Sequence, residues 1–279
     1  MPFIGFLVKA YIAVLIFRVI FTQQELSFNN VGRAVAKITN PLFKAKHKSE
    51  ADKLVPVYIA LIGLLYGVLI GLFKGKAAGS FLYGIIASIG IAYSEIFTFL
   101  AMFFVVCLLL GALASPGTGA FPVFFYRIGN MWVKPVRKVL PLKGNGIVVP
   151  TIIFIFVVFA ALTIAVNLLV SLTTPASFNL YAVSVASGLS FLYTLTGLLR
   201  IFMIVLIIRA VMSWFSPDPR NALVQLVYYA TEPVLAPLRK IIPPISGLDL
   251  SALVAMLIVA VLQNFLASAL ASLARILLS

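Results

Sequence analysis

Long apolar segments alternate along the chain with shorter segments that hold most of its charged residues. Six of the apolar segments approach or exceed the roughly twenty residues that a helix needs to cross a bilayer core of about 30 Å. We expect membrane-spanning helices at 3–21, 54–73, about 94–114, 148–172, 190–215 and 250–278. The pattern predicts an all-α fold, a polytopic α-helical membrane protein with about six transmembrane helices and amphipathic interfacial linker helices.

Two apolar stretches are longer than an upright spanning helix requires. Residues 81–114 favour a short interfacial or re-entrant segment followed by the third span. Residues 173–189 are uncharged and include Pro175 and Asn179, which indicates a turn and a surface-lying segment before the fifth span.

The linker at 213–251 carries the clearest helix signals. Asp218-Pro219 and Thr231-Glu232-Pro233 each place a capping side chain before a proline, a pattern typical of helix N-termini. We therefore expect two short helices that lie along the membrane surface, with Arg239 and Lys240 at the headgroups.

The end of this linker is marked by residues that interrupt a helix. Pro243-Pro244 cannot continue one, and Gly247 permits a turn. Asp249 and Ser251 follow as candidate N-cap residues, so the sixth span should begin at this point.

Lysine and arginine are distributed unequally between the two sides of the predicted spans. The formal net charge is +14, and most basic residues lie in three linkers, at 22–53, 115–147 and 216–249. The opposite loops hold only Lys74 and Lys76. The positive-inside rule therefore predicts cytoplasmic linkers and external termini. Anionic lipid headgroups are the expected partners of this surface. Membrane topology explains its positive charge, so we do not expect it to bind nucleic acid. Its candidate contact residues are Arg137, Lys138, Arg239 and Lys240.

The three linkers resemble one another, which indicates internal repeats. Residues 37–42 align with 229–234, and residues 134–141 align with 236–243. Arg18 and Arg209 also align, within one position, shortly before the first and third linkers. We expect three parallel repeats, at 1–75, 76–172 and 173–279.

The third repeat resembles the YggT family of small integral membrane proteins. The similarity covers roughly 200–265 and rests on TEPVLAPLRKIIPPISGLDLS, which follows an arginine-containing span ending in SWFSPDP. ITNPLF in the first repeat and KPVRKVLP in the second are weaker copies. The family motif residues are Thr231, Glu232, Pro233, Pro237, Arg239, Pro243, Gly247, Asp249 and Ser251.

The resemblance implies a membrane protein without enzymatic activity. It connects the chain to a family linked to the assembly of membrane complexes, including haem maturation of a cytochrome b subunit. Osmotic stress tolerance and cell division are further processes with which that family is associated.

Glu95 is the acidic residue placed well inside a predicted span, and an intramembrane carboxylate indicates either a functional group or a structural ion pair. Arg200 and Arg209 are its candidate partners. An aqueous cavity lined by all three would favour transport. We favour a structural carboxylate near the outer end of its helix.

Arg18 and Arg209 are expected to have an architectural role, reaching the cytoplasmic headgroups or the linker carbonyls. The second repeat has only apolar residues at that depth, which weakens the hypothesis of a pore lined by a ring of arginines. Glu232 aligns with Asn40 and Asn130, so helix capping is the role that the three residues share.

The second span carries Gly63, Gly67 and Gly71 at four-residue spacing, a pattern typical of close helix packing. The packing partner is either another helix of this chain or another protein. Gln263 and Asn264, in the last span, are expected to hold helices together.

The chemistry available to the chain is limited. Cys107 is its only cysteine and His47 its only histidine, so this chain alone forms neither a disulfide nor a bis-histidine haem or three-histidine zinc site. Nucleotide-binding and hydrolase motifs are also absent. We expect no enzymatic activity, no cofactor and no metal.

The leading functional hypothesis is a non-catalytic scaffold or accessory subunit in a bacterial inner membrane, which packs against a larger membrane complex or forms a homo-oligomer. The alternative is a channel or transporter-like protein in osmotic or ion homeostasis. A third hypothesis is a membrane anchor that recruits other proteins through its basic linkers.

Overall fold

The computed structural model describes residues 2–43, 48–74, 81–113, 120–142, 144–173, 180–215, 217–219, 221–242 and 250–278. The described residues form α-helices and a short 3₁₀ turn at Gly144–Ile147, and none of them is in a strand. The helices are α1 (Pro2–Ile20), α2 (Gln23–Phe28), α3 (Asn30–Phe43), α4 (Lys48–Lys74), α5 (Phe81–Leu113), α6 (Ala120–Val139), α7 (Val148–Thr173), α8 (Leu180–Phe215), α9 (Ala222–Ile241) and α10 (Leu250–Leu278).

Six of these helices contain a segment long and apolar enough to cross a membrane. The segments are Phe3–Ile20, Lys48–Phe73, Gly84–Ala112, Val148–Leu172, Thr196–Phe215 and Leu250–Leu277. The predicted all-α class and the six spans are confirmed. Because two spans separate each linker from the next, the linkers share one side of any membrane that all six spans cross.

The third span differs from the prediction because α5 is one continuous helix of 33 residues. At 1.5 Å per residue it is about 50 Å long, so the separate interfacial segment predicted before residue 94 is wrong. Gly90 does not break the helix. A Cβ there would lie 2.9 Å from Val170 Cγ2, so the glycine permits close packing of α5 against α7.

The fifth span shows a similar difference. α8 runs for 36 residues from Leu180 to Phe215, so the part of the predicted surface segment at 180–189 belongs to the same helix as the span. Pro175 and Asn179, on which the predicted turn rests, lie outside the described residues.

The third linker also differs, because α9 is one helix with Pro233 and Pro237 inside it. The predicted break at Thr231-Glu232-Pro233 is wrong, and the helix starts at Ala222, after Asp218-Pro219. Both prolines are exposed, whereas Thr231 and Leu235 are fully buried. Each proline removes one helical hydrogen bond, but the buried face continues past both and holds the helix together.

The same geometry corrects the proposed capping roles. Asn40 lies inside α3, Asn130 inside α6 and Glu232 inside α9, so none of the three is an N-cap. Ser251 is likewise inside α10, where it is fully buried. Pro243, Gly247 and Asp249 lie outside the described residues.

The chain divides into two compact units, one comprising residues 1–100 and 161–180 and the other residues 101–160 and 181–279. In the first unit, Leu15 of α1 packs with Phe43 of α3 and with Ala51 and Val55 of α4. Lys48 Nζ donates to the carbonyl oxygen of Val19 at 3.2 Å, which ties the start of α4 to the end of α1.

The second unit contains a corresponding core. Leu206 of α8 packs with Leu235 of α9 and with Ala252, Ala255 and Val259 of α10. Both cores therefore join a span, the linker helix that follows it, and the next span.

A small or polar residue is buried near the start of each span that follows a linker. These residues are Ala51 in α4, Thr151 in α7 and Ser251 in α10. The three repeats and their boundaries stay a prediction.

Candidate functional site

Arg18 of α1 holds the first linker helix against the first span. Its Nη1 donates to Thr39 Oγ1 at 2.6 Å and to Asn40 Oδ1 at 3.0 Å. The guanidinium carbon lies 4.7 Å from the centre of the Phe43 ring, within cation–π range. Thr39 is fully buried, and its hydroxyl donates to the carbonyl oxygen of Val35. We call Arg18, Thr39, Asn40 and Phe43 the first arginine clasp.

Arg209 of α8 occupies the aligned position before the third linker helix. Its guanidinium carbon lies 3.7 Å from the centre of the Tyr228 ring on α9. Thr231, the counterpart of Thr39, is also fully buried and donates to the carbonyl oxygen of Val227 at 2.8 Å. We call Arg209, Tyr228 and Thr231 the second arginine clasp.

Both arginines are buried, with only 7% of Arg18 and 5% of Arg209 exposed. Their guanidinium groups contact side chains of the linker helices, whereas the sequence suggested the headgroups or the linker carbonyls. Architecture is still the role that the contacts support, because a charge in an apolar environment is stabilised when neighbouring side chains satisfy it.

The second linker has no arginine at the aligned position. With Ser115-Pro116 aligned to Ser216-Pro217, Leu108 of α5 takes the place of Arg209, and Gly129 of α6 aligns with the two threonines. A Cβ on Gly111 would lie 2.7 Å from the carbonyl oxygen of Phe125, and one on Gly129 would lie 3.2 Å from Leu108 Cα. Here α5 and α6 approach closely because side chains are absent.

Glu95 of α5 lies in a second polar cluster, in the first unit. Its Oε2 is 3.1 Å from Lys9 Nζ of α1 and accepts a hydrogen bond from Tyr66 Oη of α4 at 3.2 Å. The partner of the carboxylate is Lys9, whereas the sequence suggested Arg200 or Arg209. The side chains of Lys9 and Glu95 are 30% and 40% exposed, so the pair is not enclosed.

Arg200 has an exposed side chain on α8. In the third linker, Arg239 forms a bidentate ion pair with Glu232, with N···O distances of 2.8 and 3.2 Å. Arg137, Lys138 and Lys240 are exposed, and their contact with lipid headgroups stays a prediction.

The glycine face of α4 packs inside the chain. A Cβ on Gly67 would lie 2.5 Å from Ile89 Cα, and one on Gly71 would lie 2.7 Å from Ile85 Cα. At Gly63 the nearest atoms belong to the Tyr93 ring. The structure therefore identifies α5 as the partner that the sequence left open.

Several residues of these clusters were missed in the sequence. Lys9, Tyr66 and Thr39 carry no motif, and their partners lie 86, 29 and 21 residues away. The alignment of residues 37–42 with 229–234 was the available signal for Thr39 and Thr231, because it pairs the two threonines.

Comparison with known proteins identifies relatives of this chain. The CCB3/YggT family model matches residues 189–270, which contain the second clasp and the core formed by α8, α9 and α10. No solved structure matches the chain.

Two bacterial relatives match more of the chain. A Vibrio alginolyticus protein, described as uncharacterized in the proC 3' region, is 32% identical over 167 residues, which cover 60% of this chain and 86% of the relative. An uncharacterized Haemophilus influenzae protein is 30% identical over 148 residues, 51% of this chain and 71% of its own length. With its apolar helices and the motif region matched by the family model, the chain belongs to the CCB3/YggT family of membrane proteins.

Proposed function

We propose that this protein is a non-catalytic accessory subunit or scaffold that packs against a larger membrane protein complex and aids its assembly or stability. The face of α10 around Asn264 is its docking surface. A bacterial inner membrane, with the three linkers on the cytoplasmic side, is the proposed location, which the bacterial relatives and the distribution of basic residues support.

The observation that carries the proposal is the position of Asn264. It lies at the middle of the span Leu250–Leu277 and its side chain is exposed. No hydrogen bond to its amide is found within the part of the chain that the structure describes. An amide facing hydrocarbon is costly, and contact with another transmembrane helix removes that cost.

The residues around Asn264 favour contact with another transmembrane helix over contact with lipid alone. Ser268 and Ser272 follow at four-residue spacing on the same face and are exposed. Small residues at this spacing let two helix backbones approach closely, and a hydroxyl group can hydrogen-bond across the interface. Leu257 and Val261 extend the face with apolar side chains that are 66% and 60% exposed.

The internal polar clusters support the same function. Arg18, Lys9 and Glu95 are all engaged in contacts between helices of this chain. Side chains used in this way stabilise the subunit and are compatible with a structural protein.

The test is purification of the tagged protein in mild detergent, with mass spectrometry of the proteins that remain bound. Wild type is compared with Asn264→Leu and with a control, Phe265→Leu, which changes the adjacent exposed residue without removing a polar group. We expect a stoichiometric membrane partner with wild type and with Phe265→Leu, and strongly reduced recovery with Asn264→Leu.

A photo-crosslinking residue at position 268 then identifies what contacts this face. Crosslinks to the same partner support the proposal, and the apolar α7 position Val157, which is 60% exposed, serves as the background site. Partner recovery that is equal for wild type and Asn264→Leu contradicts the docking surface. A second copy of this chain as the only crosslinked protein would show a homo-oligomer instead.

Transport is the second candidate function, and the partly exposed Lys9–Glu95 pair favours it. A pathway for ions would need this carboxylate to meet water. Ion flux into liposomes that is lost in Glu95→Gln and kept in Glu232→Gln would establish transport and replace the scaffold proposal.

A further inference from the structure

The second unit contains a cavity of about 220 Å³ between the end of α5, the face of α6 and the start of α7. Gly111 and Gly129 form part of its wall, together with Tyr126, Asn130 and Arg137. The volume is about seven times the ~30 Å³ that one water occupies in the liquid, so a small organic group fits.

The cavity lies beside the position that aligns with the two buried arginines. Leu108, which lines the cavity, takes the place of Arg209, and Gly129 takes that of Thr39 and Thr231. Two of the residues that surround a guanidinium elsewhere are nevertheless kept. Tyr126 aligns with Tyr228, which contacts Arg209, and Asn130 aligns with Asn40, which accepts from Arg18.

The charge around the cavity decides what kind of group it takes. The sequence has no aspartate or glutamate between Glu95 and Asp218, so no carboxylate lines this site. Arg239 of the third linker is neutralised by Glu232, but the aligned Arg137 has Asn130 in place of that acid. A cation would be repelled by Arg137, whereas an anion would be attracted by it.

The position of the cavity along the spans identifies the source of the anion. Its walls include Ala112, the last residue of one candidate span, and Val148, the first residue of the next. Residues at the ends of spans lie at the headgroup level, on the side that carries the basic linkers. Apolar residues such as Leu108 and Ile147 also line the cavity, so the occupant has both charged and apolar parts.

We propose that this cavity binds the phosphate and glycerol portion of one anionic phospholipid. Arg137 pairs with the phosphate, and the Asn130 amide donates a hydrogen bond to one of its oxygens. The bound lipid fills the cavity beside Gly129, and it stabilises the packing of α5, α6 and α7.

The experiment is native mass spectrometry of the full chain in detergent with equimolar phosphatidylglycerol and phosphatidylcholine of different acyl mass. We expect one phosphatidylglycerol to remain bound to wild type. In Arg137→Gln its retention should fall on the order of tenfold, because a charge-assisted hydrogen bond is lost. Lys138→Gln makes the same change in net charge at the next residue, which is not among those that line the cavity, and it should retain the lipid.

A second variant tests the site without removing the arginine. Asn130→Glu places a carboxylate seven residues before Arg137, which is the spacing of Glu232 and Arg239. It should neutralise Arg137 and reduce lipid retention by a similar factor. Circular dichroism of each variant shows whether the helices are intact.

Two results would overturn the proposal. Equal retention of phosphatidylglycerol by wild type, Arg137→Gln and Asn130→Glu would show that the cavity does not bind it. Displacement of the lipid by inorganic phosphate alone would assign the site to a soluble phosphate. Neither result depends on whether Asn264 docks a partner protein.

Discussion

Arg18 Nη1 lies 2.6 Å from Thr39 Oγ1, which joins the first span to the first linker helix through two side chains that are both buried. Residues 21 positions apart are thereby fixed against each other. The aligned Arg209 is also buried and lies against the Tyr228 ring of α9, so each of these arginines joins a span to the linker helix that follows it.

The first prediction concerns this bond. Thr39→Val keeps the shape of the side chain but removes the acceptor for Arg18, so the free energy of unfolding should fall by roughly 1.5–3 kcal/mol. Thr151→Val is the control, because the buried Thr151 hydroxyl donates to the carbonyl oxygen of Ile147, four residues earlier in the chain. Denaturation in SDS measures both. Equal losses for the two variants would contradict a stabilising role for the Arg18–Thr39 bond.

The second prediction concerns the packing of α4 on α5. In Gly67→Ala the new Cβ meets Ile89 Cα at 2.5 Å, so the helices must separate. We expect the unfolding free energy to fall by about 1–3 kcal/mol. The matched control is Gly188→Ala in α8, where no atom lies within 4 Å of the new Cβ. It should be neutral or slightly stabilising, and a loss as large as that of Gly67→Ala would refute the packing argument.

The third prediction concerns Lys9 and Glu95. Either Lys9→Glu or Glu95→Lys replaces an ion pair at 3.1 Å by two neighbouring like charges and should lower the thermal unfolding midpoint. The double exchange restores opposite charges and should recover most of that loss. The effect is moderated by water, because the two side chains are 30% and 40% exposed. Additive losses in the double variant would mean that the two residues do not interact.

The fourth prediction concerns topology. Cys107→Ala removes the only cysteine and provides a background for single-cysteine variants. In intact cells a membrane-impermeant maleimide should label Lys76→Cys, in the loop that the proposed orientation places outside, but leave Lys138→Cys and Lys240→Cys unlabelled until the membrane is opened. Labelling of the two linker positions in intact cells would reverse the proposed orientation.

Much of the fold follows from one-dimensional patterns. The apolar segments predict six spans because their length matches the bilayer, and that physical requirement does not depend on how the helices pack. The glycines of the second span predict close packing for a similarly local reason, since a missing Cβ lowers the distance at which two helices can meet.

Local signals were misleading where packing competes with them. Thr231-Glu232-Pro233 has the composition of a helix start, yet α9 continues through it because Thr231 and Leu235 are buried on one face. Residues 81–93 suggested an interfacial segment by length alone, but no residue in them ends the helix, and Gly90 packs against Val170.

The sequence by itself determined the membrane class, the number of spans and the alignment that pairs Arg18 with Arg209. It also predicts that the basic linkers face the cytoplasm. Only the tertiary structure decided which side chains satisfy those charges and that Lys9 pairs with Glu95. It also revealed the cavity beside Gly111 and Gly129. The physical reason is that hydrophobic length and charge bias act along the chain, whereas a polar group in an apolar environment is satisfied by residues that folding brings near it.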